Sequence, residues 1–369
     1  MPCLDEAAVV GVCVARALSA LAGLGLPGEV VVVDNGSRDG SADVAAAAGA
    51  RVIHESRPGY GSALLRGFAE ARGQLLIMGD ADGSYDFAAI PEFVARLQRG
   101  AELVMGTRFK GQILPGAMPW ANRFIGNPLL SGMLRLLFRT SVSDSHCGLR
   151  ACTRSAYDRM GLRTTGMEFA SEMVIAALQC GMRVEEVPIT YHPRTGDSKL
   201  HPVRDAWRHI RFMLLFSPSY VFQLPGLLLL GAGATAVGLL AGGPRRIFGH
   251  VWDFHVLLFG AGALILGYSL TLFDLLAKTF SVGAGIGRPR PWLAAFLSRF
   301  SLERGLVVGG LVLVAGFGLE VKIVADWIRD GAGALMAIRG VTVGMALMAI
   351  GGQTLFASFL ISLLLLERR

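Results

Sequence analysis

The chain has 369 residues, of which 53% are hydrophobic and only 17% charged, and its mean hydropathy is +0.51. Soluble domains carry about 25% charged residues, so a single water-soluble globule is excluded, and the charge deficit lies after residue 218. The net charge of +7 does not point to nucleic acid, because the basic residues stand beside apolar segments, as membrane-surface charge does. The cysteines (Cys3, Cys13, Cys147, Cys152 and Cys180) form no CxxC pair and read as free thiols in a reducing compartment. The opening Met1-Pro2-Cys3-Leu4-Asp5-Glu6 lacks the basic and apolar regions of a signal peptide, so the first half is expected in the cytoplasm.

In chain order, helical patterns at 7–22, 40–48, 61–72 and 88–99 alternate with apolar runs at 29–34, 74–80 and 102–105. That alternation predicts a three-layer α/β domain with a mostly parallel sheet. Ligands of such sheets sit at the carboxyl ends of the strands, where Asp34 and Asp80 fall. Gly23-Leu24-Gly25-Leu26-Pro27-Gly28 matches GxGxxG but follows a helix and precedes a strand, the reverse of a dinucleotide site. The strongest constellation is Gly79-Asp80-Ala81-Asp82-Gly83-Ser84-Tyr85-Asp86. Two carboxylates one residue apart at a strand end suit a hard divalent cation shared with substrate phosphates.

Further along, Leu200, Val203, Trp207, Ile210 and Leu214 recur at helical spacing, flanked by Arg204, Arg208 and Arg211. This predicts a basic amphipathic helix over 199–216 lying in the membrane interface. Four segments then reach the roughly 20 apolar residues that cross a bilayer: 219–241, 254–273, 305–325 and 341–366. The third carries Glu320 and Lys322 near its end. The loop after the second span holds Lys278, Arg288, Arg290, Arg299 and Arg304, whereas the other two hold Arg245 with Arg246 and Arg329 with Arg339. Positive charge favours the cytoplasmic side, which places the middle loop, both termini and the first half in the cytoplasm. The expected division is a catalytic domain at 1–198, the interfacial helix, and a membrane domain at 217–369.

Several ordered motifs carry a family resemblance over roughly residues 1–216. Pro2-Cys3-Leu4-Asp5-Glu6, Val32-Val33-Asp34-Asn35-Gly36-Ser37-Arg38-Asp39-Gly40-Ser41 and the Asp80–Asp82 pair resemble family 2 glycosyltransferases of the GT-A fold. Asp144-Ser145-His146-Cys147-Gly148-Leu149-Arg150 and Arg194-Thr195-Gly196-Asp197-Ser198-Lys199 resemble the dolichol-phosphate mannose/glucose synthase branch. The resemblance implies a GT-A nucleotide-diphospho-sugar transferase domain followed by a four-helix transmembrane region. It implies Pro2, Glu6 and Asp34 around the nucleotide, Asp80 at ribose and metal, and Asp82 on the metal, which would be Mg²⁺ or Mn²⁺. Arg108 would approach the nucleotide sugar, and Arg123, Arg150, Arg194, Ser198 and Lys199 the diphosphate or the acceptor phosphate. Basic side chains are what two phosphate groups require.

Two departures stand out. The family's first strand precedes the Pro-x-x-x-Glu motif on which this sequence opens, so either the start lies upstream or the sheet lacks an edge. The mannose-type relatives often place Gln where Ser84 stands, which favours UDP-glucose over GDP-mannose as donor. The implied activity is inverting, metal-dependent transfer of a hexose from a nucleotide-diphosphate sugar to a polyprenyl phosphate. Such a phosphate is already largely an oxyanion at neutral pH, so no strong base is needed, and Asp144 would orient the acceptor or act as a weak base. A processive polysaccharide synthase is disfavoured because no Gln begins a Gln-x-x-Arg-Trp motif. A non-enzymatic membrane scaffold or lipid-linked-sugar carrier is the alternative.

Overall fold

The computed structural model describes residues 1–196, 202–217, 219–283 and 291–366. The chain divides into two units, Met1–Phe216 and Ser217–Arg369. In the first unit, β1 (Pro2–Cys3), β2 (Val31–Asp34) and β3 (Arg51–His54) form a parallel sheet in that order. Between them, α1 (Val10–Ala22) buries Val10, Cys13, Val14 and Ala17, one stripe at i, i+3, i+4 and i+7 spacing. The short α2 (Ser41–Ala47) precedes β3, and α3 (Tyr60–Glu70) follows it. Val32, Val33 and Asp34 are all buried, as a central parallel strand requires on both faces.

The second sheet is where the structure departs from the expected parallel arrangement. It contains β4 (Leu75–Met78), β5 (Leu103–Ile113), β6 (Arg150–Thr153) and β7 (Val184–Tyr191) in the order β4-β6-β5-β7. Strand β6 runs antiparallel to both neighbours, while β5 and β7 are parallel. Because β6 is reversed, its first residue, Arg150, pairs with the last residue of β4, Met78. The loop entering β6 is thereby delivered to the acidic turn leaving β4. The predicted strand 102–105 extends to Ile113; its outer half, Arg108 to Gln112, holds one apolar side chain, Phe109, among polar residues and glycine, too little for an apolar run. Helices α4 (Ile90–Gln98), α5 (Asn127–Phe138), α6 (Arg154–Met160) and α7 (Phe169–Gln179) cover the sheets.

Two helices of this unit have exposed apolar faces. A π-helical turn at Asn122–Gly126 leads into α5, and along this stretch Trp120 (68%), Phe124, Ile125, Leu129 and Leu136 (65%) are exposed, with Arg123 and Arg135 among them. Helix α8 (Pro202–Leu215) differs from the predicted interfacial helix. Phe212 and Met213 are buried, and Ala206 and Ile210 pack against the same apolar cluster, so part of the expected stripe faces protein. Trp207 and Leu215 remain exposed, beside Arg204, Arg208 and Arg211. Residues 197–201, including Leu200 of that stripe, lie outside the described residues.

Among the described residues the second unit contains four helices long and apolar enough to cross a membrane: Ser219–Leu240, Phe254–Val282, Leu302–Arg329 and Ile338–Leu365. They comprise a π-helical turn with α9 (Leu224–Leu240), then α10 (Phe254–Gly283), α12 (Leu302–Arg329) and α13 (Ile338–Leu366), with the short α11 (Pro291–Arg299) before α12. A short hairpin, Arg245–Ile247 with His250–Trp252, joins α9 to α10. Helices α9 and α10 meet at Gly226, Gly233, Gly260 and Gly267, and α12 meets α13 at Gly309, Gly316, Gly344 and Gly351. Lipid offers no hydrophobic drive between helices, so close backbone approach at small residues holds them. Hydrogen bonds add to this: Tyr268 and Thr354 hydroxyls stand 2.6 Å apart, and Gln353 donates to Ser269 at 3.0 Å. Lys278 is clamped by Asp274 at 2.6 Å and Gln223 at 3.0 Å. The Glu320 carboxylate lies directly against Gly344.

Candidate active site

The carboxyl ends of β2 and β4 carry the acidic residues. Asp34 ends β2, is 5% exposed, accepts from the Ser37 amide at 3.1 Å, and stands 3.2 Å from His54 Nδ1. Burial alone would raise its pKa, but the bonds from Ser37 and His54 outweigh it and hold the carboxyl below its ordinary value. Asp34 is therefore an ionised acceptor. Pro2 lies alongside it on β1, where Pro2 pairs with Val33 and Cys3 with Asp34.

After β4 the chain turns sharply through Asp80, Asp82 and Gly83, whose φ of +79° suits glycine. Burial and then the charge of Asp82 push the Asp80 carboxyl up to about 6, against the opposing pull of the Tyr60 hydroxyl and Arg194. Tyr60 donates to Asp80 Oδ1 at 2.9 Å, and the Ser84 amide donates to Asp82 Oδ1 at 3.0 Å. Each carboxylate thus has one oxygen tied to protein. Ser84 itself is buried.

The basic residues converge unevenly. Arg194 reaches Glu6 with a 2.6 Å hydrogen bond and stands 3.6 Å from Asp82 Oδ2. Its segment is fixed by backbone bonds from His192 to Ser84 and from Thr195 to Asp82. Arg108 and Asp144 form a bidentate pair at 2.7 and 2.8 Å. Asp144 is fully buried, and its Oδ2 also accepts from the Arg108 amide. The Arg108 guanidinium lies 5.1 Å from the centre of the Tyr191 ring. Glu186 supports this loop from β7, accepting from the Ser143 amide and hydroxyl at 2.7 and 2.8 Å.

Four expected phosphate ligands are not brought to the acidic turn among the described residues. Arg150 is completely buried and its guanidinium donates to the carbonyls of Cys147, Ala170 and Ser145 at 2.6–2.8 Å. It braces the loop 144–150 from a fully buried position, with each guanidinium nitrogen bonded to a carbonyl. Arg123 is on the exposed apolar ridge, 5.4 Å from the centre of the Phe124 ring, and among the described residues it has no bond to the acidic turn. Ser198 and Lys199 lie outside the described residues.

Other residues at the site were not singled out as candidates from the sequence. Gly148 packs so closely that a Cβ there would stand 2.6 Å from Asp80 Oδ2. Its amide donates to the Tyr85 hydroxyl at 2.7 Å. Tyr60 and Tyr191 meet the candidates only through the tertiary fold, each being a single aromatic in an unremarked stretch of chain, whereas Tyr85 belongs to the acidic run itself.

Asp80 Oδ2 and Asp82 Oδ2, the latter 3.6 Å from Arg194, are the oxygens that a cation would meet. Hard carboxylate donors, a carboxyl raised by its neighbour's charge and one arginine as countercharge fit a divalent metal. Among the described residues no group of three His, Cys, Asp or Glu side chains could hold a metal ion, so a cation bound here would take its remaining ligands from substrate or water.

Comparison with known proteins agrees with this arrangement. Residues 1–161 match the glycosyl transferase family 2 model, and residues 275–365 match the family 2 C-terminal transmembrane region. A low-salt glycan biosynthesis hexosyltransferase, Agl6 of Haloferax volcanii, is 38% identical over 98% of this chain and 87% of its own. The glycosyltransferase AglJ of the same organism is 31% identical over 57% of this chain and 69% of its own. A dolichyl-phosphate hexose transferase of H. volcanii is 33% identical over 47% of this chain and 74% of its own. The scaffold alternative gives way to these likenesses. With an acidic turn at the end of β4 and four apolar helices later in the chain, the chain belongs to glycosyltransferase family 2 and is an integral membrane enzyme.

Proposed function

We propose that this protein moves a hexose from a nucleotide-diphosphate sugar to a polyprenyl phosphate, with inversion at the anomeric carbon and with a divalent cation. The observation that carries this reading is the acidic turn, where Asp80 and Asp82 each have one oxygen bonded within the protein and Arg194 supplies the countercharge to Asp82 Oδ2. The likeness to a dolichyl-phosphate hexose transferase supports the lipid acceptor, and the likeness to a hexosyltransferase supports the sugar. UDP-glucose is the favoured donor, because a serine stands at position 84, with GDP-mannose second.

Asp82 and Asp80 would hold Mg²⁺ or Mn²⁺, which when bound stabilises negative charge on the departing nucleoside diphosphate. Asp34 accepts from the nucleotide, beside Pro2 and Glu6. Arg194, held only loosely to Asp82 at 3.6 Å, would be available to a substrate phosphate. The acceptor is an oxyanion at neutral pH, so the protein has to position it and screen repulsion. Asp144 suits positioning and does not suit proton abstraction: both its oxygens are held by Arg108. In this reading Asp144 aims Arg108 at the acceptor phosphate.

A lipid phosphate stays at the bilayer surface, because each buried CH₂ contributes about 0.8 kcal/mol to anchoring. The exposed Trp120, Phe124, Ile125, Leu129 and Leu136 on the first unit, with arginines among them, suit contact with that surface. The basic middle loop puts the catalytic unit on the cytoplasmic side. A panel of radiolabelled sugar nucleotides offered to the full-length protein in nanodiscs with undecaprenyl phosphate tests the proposal. Metal-dependent label in the lipid phase is expected, and its absence for every donor overturns it.

A further inference from the structure

The loop 144–150, which carries Asp144, is held from below by a chain of buried polar groups that the reading above does not use. Ser131, on α5, accepts from the Ser145 amide at 3.2 Å, and the two serine hydroxyls stand 3.1 Å apart. The Ser145 hydroxyl meets His146 Nδ1 at 2.8 Å. The His146 ring then packs edge-on against His209 of α8, with centroids 4.3 Å apart and planes at 83°. His209 Nδ1 meets the Ser171 hydroxyl of α7 at 2.9 Å. Ser131, Ser145, Ser171 and His209 are all buried.

Around this chain the packing is apolar: Leu130, Leu134, Met173, Phe212 and Met213 belong to one buried cluster. Apolar side chains could fill that space with no directional demand, whereas hydrogen-bonded serines and an edge-to-face ring pair accept one arrangement. The chain joins α5 and α8, the two helices with exposed apolar and basic residues, to the residue next to Asp144. Arg150 fixes the other end of the same loop by bonding the Ser145 and Cys147 carbonyls. The loop therefore has two anchors, one in the sheet and one in α8.

We propose that His209 is a positioning residue for transfer: through its ring contact with His146 it sets the loop that aims the Asp144–Arg108 pair. This rests on the reading that the pair works on the acceptor. It makes α8 part of the catalytic apparatus as well as the lead-in to the first span.

Two substitutions separate the ring contact from the Ser171 bond. His209→Asn keeps a polar atom near Nδ1 for Ser171 and removes the ring, whereas His209→Phe keeps a ring against His146 and removes the bond. Full-length variants in nanodiscs, assayed with undecaprenyl phosphate and whichever donor the wild type uses, are compared for kcat, donor KM and Tm. The expected result is a kcat about tenfold lower for His209→Asn, in line with small misplacement of a catalytic group. Its donor KM should stay within about twofold, and His209→Phe should recover most of the rate. Equal losses in both variants that follow a fall in Tm would show a structural role only and overturn the proposal, as would a wild-type rate in His209→Asn. Asp144→Asn is run alongside. If it transfers like the wild type, the assignment of the Asp144–Arg108 pair falls; if it is impaired while His209→Asn is not, only the positioning role falls.

Discussion

Arg194 bonds Glu6 at 2.6 Å and stands 3.6 Å from Asp82 Oδ2, so a single guanidinium spans an N-terminal carboxylate and the acidic turn. One cation shared between two carboxylates at unequal distance can exchange the looser partner for a phosphate. Arg194→Gln should therefore weaken nucleotide-sugar binding by about tenfold or more, the scale of one charged hydrogen bond. Titration calorimetry with the donor and Mn²⁺ checks this. Unchanged affinity would leave Arg194 a purely structural link.

Asp82 is the carboxylate with the most direct claim on a metal. Asp82→Ala is expected to lower transfer by about 100-fold or more while the protein stays folded and membrane-bound. Chelation with EDTA should reproduce the loss in the wild type. Activity within a few-fold of wild type in either experiment would remove the metal from the mechanism.

Gly148 is a packing constraint on the same carboxylates. An added methyl would stand 2.6 Å from Asp80 Oδ2 and 3.0 Å from the Tyr85 hydroxyl. Gly148→Ala should cost on the order of 1–3 kcal/mol as overpacking and reduce kcat by displacing Asp80. A melting curve with a parallel activity assay measures both, and a neutral substitution would mean that the 144–150 loop moves freely from β4.

The paired histidines make stability depend on pH. Burial lowers the His209 pKa from 6.5 to about 4, against the raising effect of Asp205, with Arg150 adding to the lowering. His146 is lowered well below 6.5 by burial and by His209, Arg150 and Arg108. The unfolded chain therefore binds protons near pH 6.5 that the folded chain refuses until about pH 4, so stability is full above 6.5 and declines as pH falls through that window. Tm should fall between pH 7 and 4.5, less steeply in His209→Asn. Parallel pH profiles for the two proteins would assign the acid sensitivity elsewhere.

Membrane orientation follows from the basic middle loop. In a cysteine-free background, Gly243→Cys between the first two spans should react with an impermeant reagent in intact cells, and Ser298→Cys should be protected. The reverse pattern would place the catalytic unit outside.

Much of this protein was legible in local sequence. Apolar runs of about 20 residues have to be helices where no water can satisfy the backbone, so the four spans stood out. An acidic pair after an apolar strand marked the turn at Asp80 and Asp82, because strand ends are where α/β sheets expose ligands. The motifs around Asp34 and Asp144 carried the family. What a motif could not say was which donors remain free. Arg150 belongs to the motif, yet the fold buries it and brings three carbonyls within its reach. Arg194 lies 188 residues from Glu6, and only the parallel β5–β7 pairing carries the chain back beside β5. The α8 stripe was read from its own periodicity, but a helix with apolar residues on two sides does not reveal which side another surface will cover. Strand β6 is four residues with a charged start, too short for a hydropathy signal, and its reversed direction sets Arg150 opposite Met78. Hydropathy and motif spacing are properties of neighbours in the chain; hydrogen-bond satisfaction is a property of neighbours in space, and it decided which of the predicted ligands could touch a substrate.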